Sequence, residues 1–213
     1  MKDFPVFTTE YGVASLVLKE VPYRQEAYII LQSTEDPEEL LKECVSFCRM
    51  VGAEKIYAKG HPIVERYPLH TAIYEMRGEA AVDPEKLENI FPVTENTISK
   101  WRQISNERMR GVDCAATQTF ADEKFLLGTG GAYFIHRDGE LLGIGLMNDL
   151  ELMQICAVKP GMGERVAHTL LSTVEGSAVR LEVASTNERA IRLYERLGFL
   201  KTELLRSWYD VSK

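Results

Sequence analysis

Between Val179 and Phe199 the chain leaves itself little conformational choice. Val179 to Val183 alternates apolar and polar residues, the period of a half-buried strand. Ser185-Thr186-Asn187 follows and offers a helix N-cap, because a short polar side chain there can accept from first-turn amides. Ala190, Ile191, Tyr194 and Leu197 then recur at helical spacing. Gly198 closes the helix, since the residue past the last turn commonly adopts a left-handed conformation that glycine takes without a steric penalty. A strand followed so closely by a capped amphipathic helix asks for helices laid on a sheet.

The rest of the second half fits that requirement. Ile90-Phe-Pro-Val reads as a short strand, and Glu95 to Met109 as a helix with Ile98, Trp101, Ile104 and Met109 on one side. Gly131 to His136 and Leu141 to Leu146 flank Arg137-Asp138-Gly139-Glu140, a type I′ hairpin signal. Leu150 to Val158 is an apolar strand, a helix runs from about Gly163 to Val174, and Leu200 to Val211 is the final strand. Gly111 to Gly130 is polar without clear periodicity and reads as a loop.

The first eighty residues form another unit. Strands at Ala14 to Lys19 and Glu26 to Leu31 are joined across Pro22-Tyr-Arg-Gln in a hairpin-like way. Asp36-Pro37-Glu38-Glu39 starts a helix that carries Leu40, Leu41, Cys44, Val45, Phe47 and Cys48 and stops at Gly52. Strands follow at Lys55 to Ala58 and Thr71 to Met76. Residues 79–90, charged and containing Asp83-Pro84, read as a connector, which divides the chain into 1–80 and 88–213.

Asn187, Ala190, Leu193, Tyr194, Glu195, Gly198 and Phe199 match every named position of N-x-x-A-x-x-L-Y-E-x-x-G-F. In this the segment resembles the closing motif of the GNAT N-acetyltransferase superfamily. The resemblance covers 88–213 and implies an α/β (mixed α+β) fold, a GNAT-like mixed sheet flanked by helices, behind a smaller N-terminal α/β unit. That first unit resembles the middle of the same fold without its front helix or closing motif. It reads either as a degenerate half-domain or as a plain α+β cap that shapes the acceptor pocket.

What the resemblance implies chemically is transfer of acetyl from acetyl-CoA, as co-substrate and without a metal, to an amine on a small molecule or peptide. In the family, a strand-to-helix turn of form R/Q-x-x-G-x-G/A holds the pyrophosphate on backbone amides and the helix dipole. Here the matching stretch runs from Val158 through Pro160, Gly161, Met162, Gly163 and Glu164 to Arg165, Val166 and Ala167. Gly161, Gly163, Val166 and Ala167 carry over as coenzyme-binding positions. The loop is one residue shorter than usual, Met162 stands at the Arg/Gln position, and Arg165 replaces the middle glycine. An arginine there either hinders close backbone approach or substitutes a guanidinium for part of the amide cradle. Ala157 and Val158 fall where the family's splayed strand hydrogen-bonds the pantetheine arm, and Asn187 and Ala190 where the capped helix meets it.

Tyr194 matches the family's proton donor to the leaving thiolate, although its spacing from Ile191 equally suits an aromatic on the apolar face. Glu151 matches a position from which some members abstract the amine proton through water, with Asp149 and Glu182 as rivals. The altered loop also admits another reading, a catalytically silent acyl-CoA-binding or protein-interaction module.

Composition narrows the partners. The formal net charge of −7 argues against nucleic acid and mildly favours cationic acceptors. Four cysteines in 213 residues make no disulfide framework, and Cys44 with Cys48 suit the apolar face of a helix better than a metal. Met1-Lys-Asp-Phe-Pro lacks a basic stretch before an apolar run, and no window approaches a membrane span, which points to a cytoplasmic protein. A sheet edge beside the last strand leaves room for a homodimer.

Overall fold

A computed structural model of the chain describes residues 5–213, so the leader reading at residues 1–4 lies outside the described residues. Two compact units emerge: one runs to Ala72 and takes in Leu205–Lys213, the other is Ile73–Leu204. The division therefore passes through two strands rather than through the charged connector. The reason is visible in the side chains of 83–88, which bind a helix of the second unit (below).

In the first unit, β1 (Val6–Thr9), β2 (Gly12–Val17), β3 (Glu26–Thr34) and β4 (Lys55–Lys59) pair in that order, and the end of β11 (Leu200–Asp210) adds beside β4. β2 and β3 are antiparallel as expected, but Pro22 starts a short helix, α1 (Val21–Arg24), rather than a tight turn. β3 and β4 are parallel and linked by α2 (Pro37–Met50), whose Asp36 cap accepts from the amides of Glu38 and Glu39. Leu40, Leu41, Cys44 and Cys48 pack onto Ala27, Ile29, Leu31, Ile56 and Ala58. Burial pushes the thiols up, to about 12 for Cys44 and about 11 for Cys48.

In the second unit the order is β11, β5 (Leu69–Glu79), β10 (Ala178–Ala184), β9 (Glu151–Ala157), β8 (Glu140–Asn148), β7 (Ala132–Arg137) and β6 (Asn89–Pro92). β9 and β10 are parallel; β5–β10, β8–β9, β7–β8 and β6–β7 are antiparallel. Asp138 and Gly139 both have positive φ, as the type I′ turn between β7 and β8 requires.

Helices cover both faces of this sheet. α5 (Gly163–Leu171) and α6 (Glu188–Arg196) bury Val166, Ala167, Leu170, Leu171, Ile191 and Tyr194 on one. α3 (Ile98–Met109) and α4 (Phe120–Thr129) bury Ile98, Trp101, Ile104 and Leu126 on the other. α4 occupies what the sequence shows as a loop. It has no apolar stripe to announce it: Phe120 and Phe125 are exposed, and one of its two buried residues is Glu123, held by Ser99 at 3.0 Å and Arg102 at 2.7 Å. A capping box between Thr119 and Asp122 starts it. Among the described residues, no helix is long and apolar enough to cross a membrane.

Candidate functional site

The site begins with a fault in β9. Gly143 faces Ala157, Ile144 faces Cys156 and Leu146 faces Gln154, but Met147 then faces Leu152. Met153 is thus the extra residue of a β-bulge. The bulge shifts the alternation by one. Leu152 and Ile155 pack with α5 and α6, while Cys156 turns to the α3–α4 side. Gln154 is buried there too, donating to Ser105 Oγ at 2.8 Å and to Cys156 Sγ at 3.1 Å.

Pairing with β10 ends at the same place. Arg180 faces Glu151 and Leu181 faces Leu152, and the parallel ladder goes no further. The Val158 amide donates to the Leu142 carbonyl at 2.8 Å, so Val158 is committed to β8. By the alternation of an antiparallel ladder, the N–H and C=O groups of Ile155 and Ala157 then point away from β8 into the opened gap. An interior strand edge of this kind can receive an amide-rich ligand as an added strand.

α5 starts just past the end of β9. Gly161 takes φ +79° and turns the chain into the helix. Met162 is the N-cap residue and contributes no side-chain cap, while the Val166 amide bonds back to Met162 O at 3.0 Å. Among the described residues, the amides of Gly163, Glu164 and Arg165 meet no protein acceptor. They are the free donors of a helix N-terminus and carry its partial positive charge. The side chains of Val166 and Ala167 are fully buried beneath this turn, against the sheet and α6.

Arg165 reaches sideways. Its Nη1 donates to Glu88 Oε1 at 3.0 Å and to the Glu85 carbonyl at 3.2 Å. The same face of α5 holds the connector elsewhere: Lys86 Nζ meets Glu164 Oε1 at 2.6 Å, and the Glu88 amide donates to Thr169 Oγ1 at 3.0 Å. The Asp83 amide donates to His168 Nδ1 at 3.3 Å.

Burial first, then Lys86, depresses the His168 pKa below the ordinary imidazole value. A group depressed on folding stabilises fully above its unfolded pKa and loses that contribution as pH falls through its folded value. Thermal midpoints should therefore drop on acidification from pH 7 into the range below the ordinary histidine pKa of about 6.5. His168→Gln, which cannot titrate, should flatten that part of the curve; an equal slope in both proteins would refute the assignment.

α6 carries the last components. Asn187 Oδ1 accepts from the Ala190 amide at 3.2 Å and so caps the helix. At the other end the Phe199 amide donates to Tyr194 O at 2.9 Å and the Gly198 amide to Glu195 O at 3.0 Å, with Gly198 at φ +87°. This is a Schellman closure, and its customary apolar contact is the Tyr194–Phe199 ring pair, centroids 6.2 Å apart. Tyr194 is buried among Val166, Ala167 and Ile191. Burial, with a smaller contribution from Cys156, raises its pKa well above the ordinary phenol.

The structure thus gathers Ala157, Gly163, Ala167 and Tyr194 around α5, α6 and the gap. Glu151 stands apart, at the last rows where β9 and β10 still pair. It is about 16 Å along the strand from Cys156. Its Oε2 accepts from Arg180 Nη2 at 2.9 Å. It also lines an open depression of about 530 Å³ with Arg77, Asn148, Asp149 and Arg180, at the end of the parallel pair remote from α5. Ser105, Gln154 and Glu88 escaped the sequence reading. The adjacent apolar pair Leu152-Met153, which breaks the alternation, was the available sign of the bulge.

No protein-family model matches the chain. Over 52 residues it is 40% identical to the N-alpha-acetyltransferase RimI of Mycobacterium tuberculosis, a match that takes in 24% of this chain and 33% of that protein. The chain thus spans about a third of the length of the curated relative it matches. Among solved structures, it is similar to a GCN5-related N-acetyltransferase from Anabaena variabilis, with a TM-score of 0.63 and 10% identity over 95% of this chain and 60% of that one. An acetyltransferase from the GNAT family of Colwellia psychrerythraea gives a TM-score of 0.52 and 11% identity, over 96% and 84%. A functionally unknown conserved protein from Staphylococcus epidermidis gives 0.57 and 11%, over 98% and 93%. At such identities the likeness is one of fold.

Proposed function

The chain has the fold of the GNAT N-acetyltransferase superfamily, and from that premise we propose that it transfers acetyl from acetyl-CoA to an amine by direct attack. The observation that carries this reading is the parting of β9 from β10 at a bulge, immediately before a helix whose first amides have no protein partner. A strand edge and a helix N-terminus in succession offer the two kinds of donor that a pantetheine arm and a diphosphate need.

In this reading the diphosphate rests on the amides of Gly163, Glu164 and Arg165, with Gly161 shaping the turn. The pantetheine amides pair with the backbone of Ile155 and Ala157. The neutral amine attacks the thioester carbonyl, and a tetrahedral intermediate forms. Water takes the ammonium proton, because Glu151, held by Arg180 about 16 Å along the strand from Cys156, stands too far from Tyr194 to receive it. The C–S bond then breaks, and the Tyr194 hydroxyl gives its proton to the departing thiolate. The phenol is protonated at neutral pH, as a donor must be, and burial makes it a weaker acid than an exposed tyrosine. Holding amine and thioester together supplies much of the rate, so a strong base is unnecessary.

The acceptor is an amine, which an acidic protein attracts in its cationic form. The test is calorimetry with CoA, followed by an amine panel in which released thiol is measured. Binding at micromolar CoA and amine-dependent thiol release are expected. A calorimetric blank with both CoA and acetyl-CoA would reject the reading.

A further inference from the structure

Arg165 is where this chain departs most from the phosphate-loop pattern, and the geometry around it has an internal logic. A side chain at the third position of α5 is long enough to curl over the free amides of its own first turn. It does not. Its guanidinium lies on the Glu85 carbonyl and on Glu88 Oε1. Glu88 is itself fixed. Its side chain is 6% exposed, and it takes Arg137 through Nε at 2.9 Å and through Nη2. Its amide is tied to Thr169 on α5. Arg137 and then Arg165 hold the Glu88 carboxyl below the usual carboxylate range against the opposing effect of burial, so it stays charged near neutrality.

We propose that Glu88 is a positioning residue for the coenzyme seat: it draws the Arg165 guanidinium back onto the 83–88 connector and leaves the diphosphate to backbone amides alone. This rests on the reading of the α5 N-terminus as that seat. It explains how an arginine can stand at a glycine position: the side chain is diverted along the helix face, and its charge is matched by a carboxylate rather than offered to the ligand. A seat of neutral donors releases its product more readily than one closed by a guanidinium, because the guanidinium adds a direct, bidentate ion pair to the bonds the amides make.

The test is CoA and ADP affinity, measured across a salt series, in wild type, Glu88→Gln, Arg165→Ala and the double variant. Both guanidiniums beside Glu88 remain over a third exposed and keep their hydration, so Glu88→Gln should fold. Freed, Arg165 swings to the anion. Affinity should rise roughly fivefold to tenfold at low salt, with a steeper salt dependence. Arg165→Ala alone should stay within about twofold of wild type, and in the double variant the gain and its salt dependence should vanish.

A gain that survives in the double variant would overturn the proposal, as would an unchanged or weakened Glu88→Gln. So would an Arg165→Ala protein that loses about tenfold, because Arg165 would then be a phosphate ligand; this variant decides the matter even if Glu88→Gln does not fold. Wild-type protein that binds neither CoA nor ADP refutes the seat itself, which is a different failure.

Discussion

Tyr194→Phe is expected to lower kcat for acetyl transfer by roughly a hundredfold or more while CoA affinity stays close to wild type. The two halves of this expectation have separate physical sources. The ring is held by the Schellman closure of α6, by Phe199 and by the apolar side chains of α5, none of which uses the hydroxyl. Among the described residues no hydrogen bond to that hydroxyl is seen, so its loss leaves no protein donor or acceptor stranded. Phenylalanine should therefore fold and bind as tyrosine does. What disappears is the proton for the thiolate. An unprotonated leaving group must then find its proton in water, which the buried surroundings exclude. Single-turnover rates and CoA calorimetry on the same preparations decide it. Full activity in Tyr194→Phe would move the acid elsewhere, and a parallel loss of binding would make the residue structural.

How far the sequence discloses this site depends on which interactions are local. The α6 segment is legible because its devices lie within a few residues of one another: the Asn187 cap, the Ile191 and Tyr194 face, and the Gly198 exit. The hairpin at Asp138-Gly139 and the Asp36 cap are legible for the same reason. β9 is legible as a strand but not as a bulged one, since the bulge is defined by a partner, β8, and two adjacent apolar residues are an ambiguous sign. α4 fails the periodicity test because a buried glutamate replaces an apolar residue, and its partners Ser99 and Arg102 are remote in sequence. The unit boundary misleads in a similar way. A charged, proline-bearing stretch usually reads as a linker, yet Asp83, Lys86 and Glu88 spend their polar groups on α5. Arg165 poses a choice that composition cannot make, because what decides it is a carboxylate arriving from that stretch.

Gly143→Val is expected to be strongly damaging, costing about 3 kcal/mol or more of stability and taking CoA affinity with it. Gly143 and Gly145 lie on β8 beneath α5, and their missing side chains let the helix approach the sheet. A Cβ at Gly145 would fall 2.4 Å from Leu170 Cδ2, the end of a side chain that can rotate away at some cost. A Cβ at Gly143 would fall 2.6 Å from the Cys156 carbonyl oxygen as well as 2.7 Å from Val166 Cγ2. The first of these is backbone in the adjacent strand, so relief requires β8 and β9 to shift where β9 faces the gap. The second is the residue just past the first turn of α5, so the free amides move too. Gly145→Ala serves as the control: it should lose stability but keep most of the affinity, because Leu170 is a turn further along and the first-turn amides stay in place. Urea melts with calorimetry on the folded fraction separate the two effects. A Gly143→Val protein that is destabilised yet grips CoA as tightly as wild type would show that the seat of α5 on β8 does not present those amides.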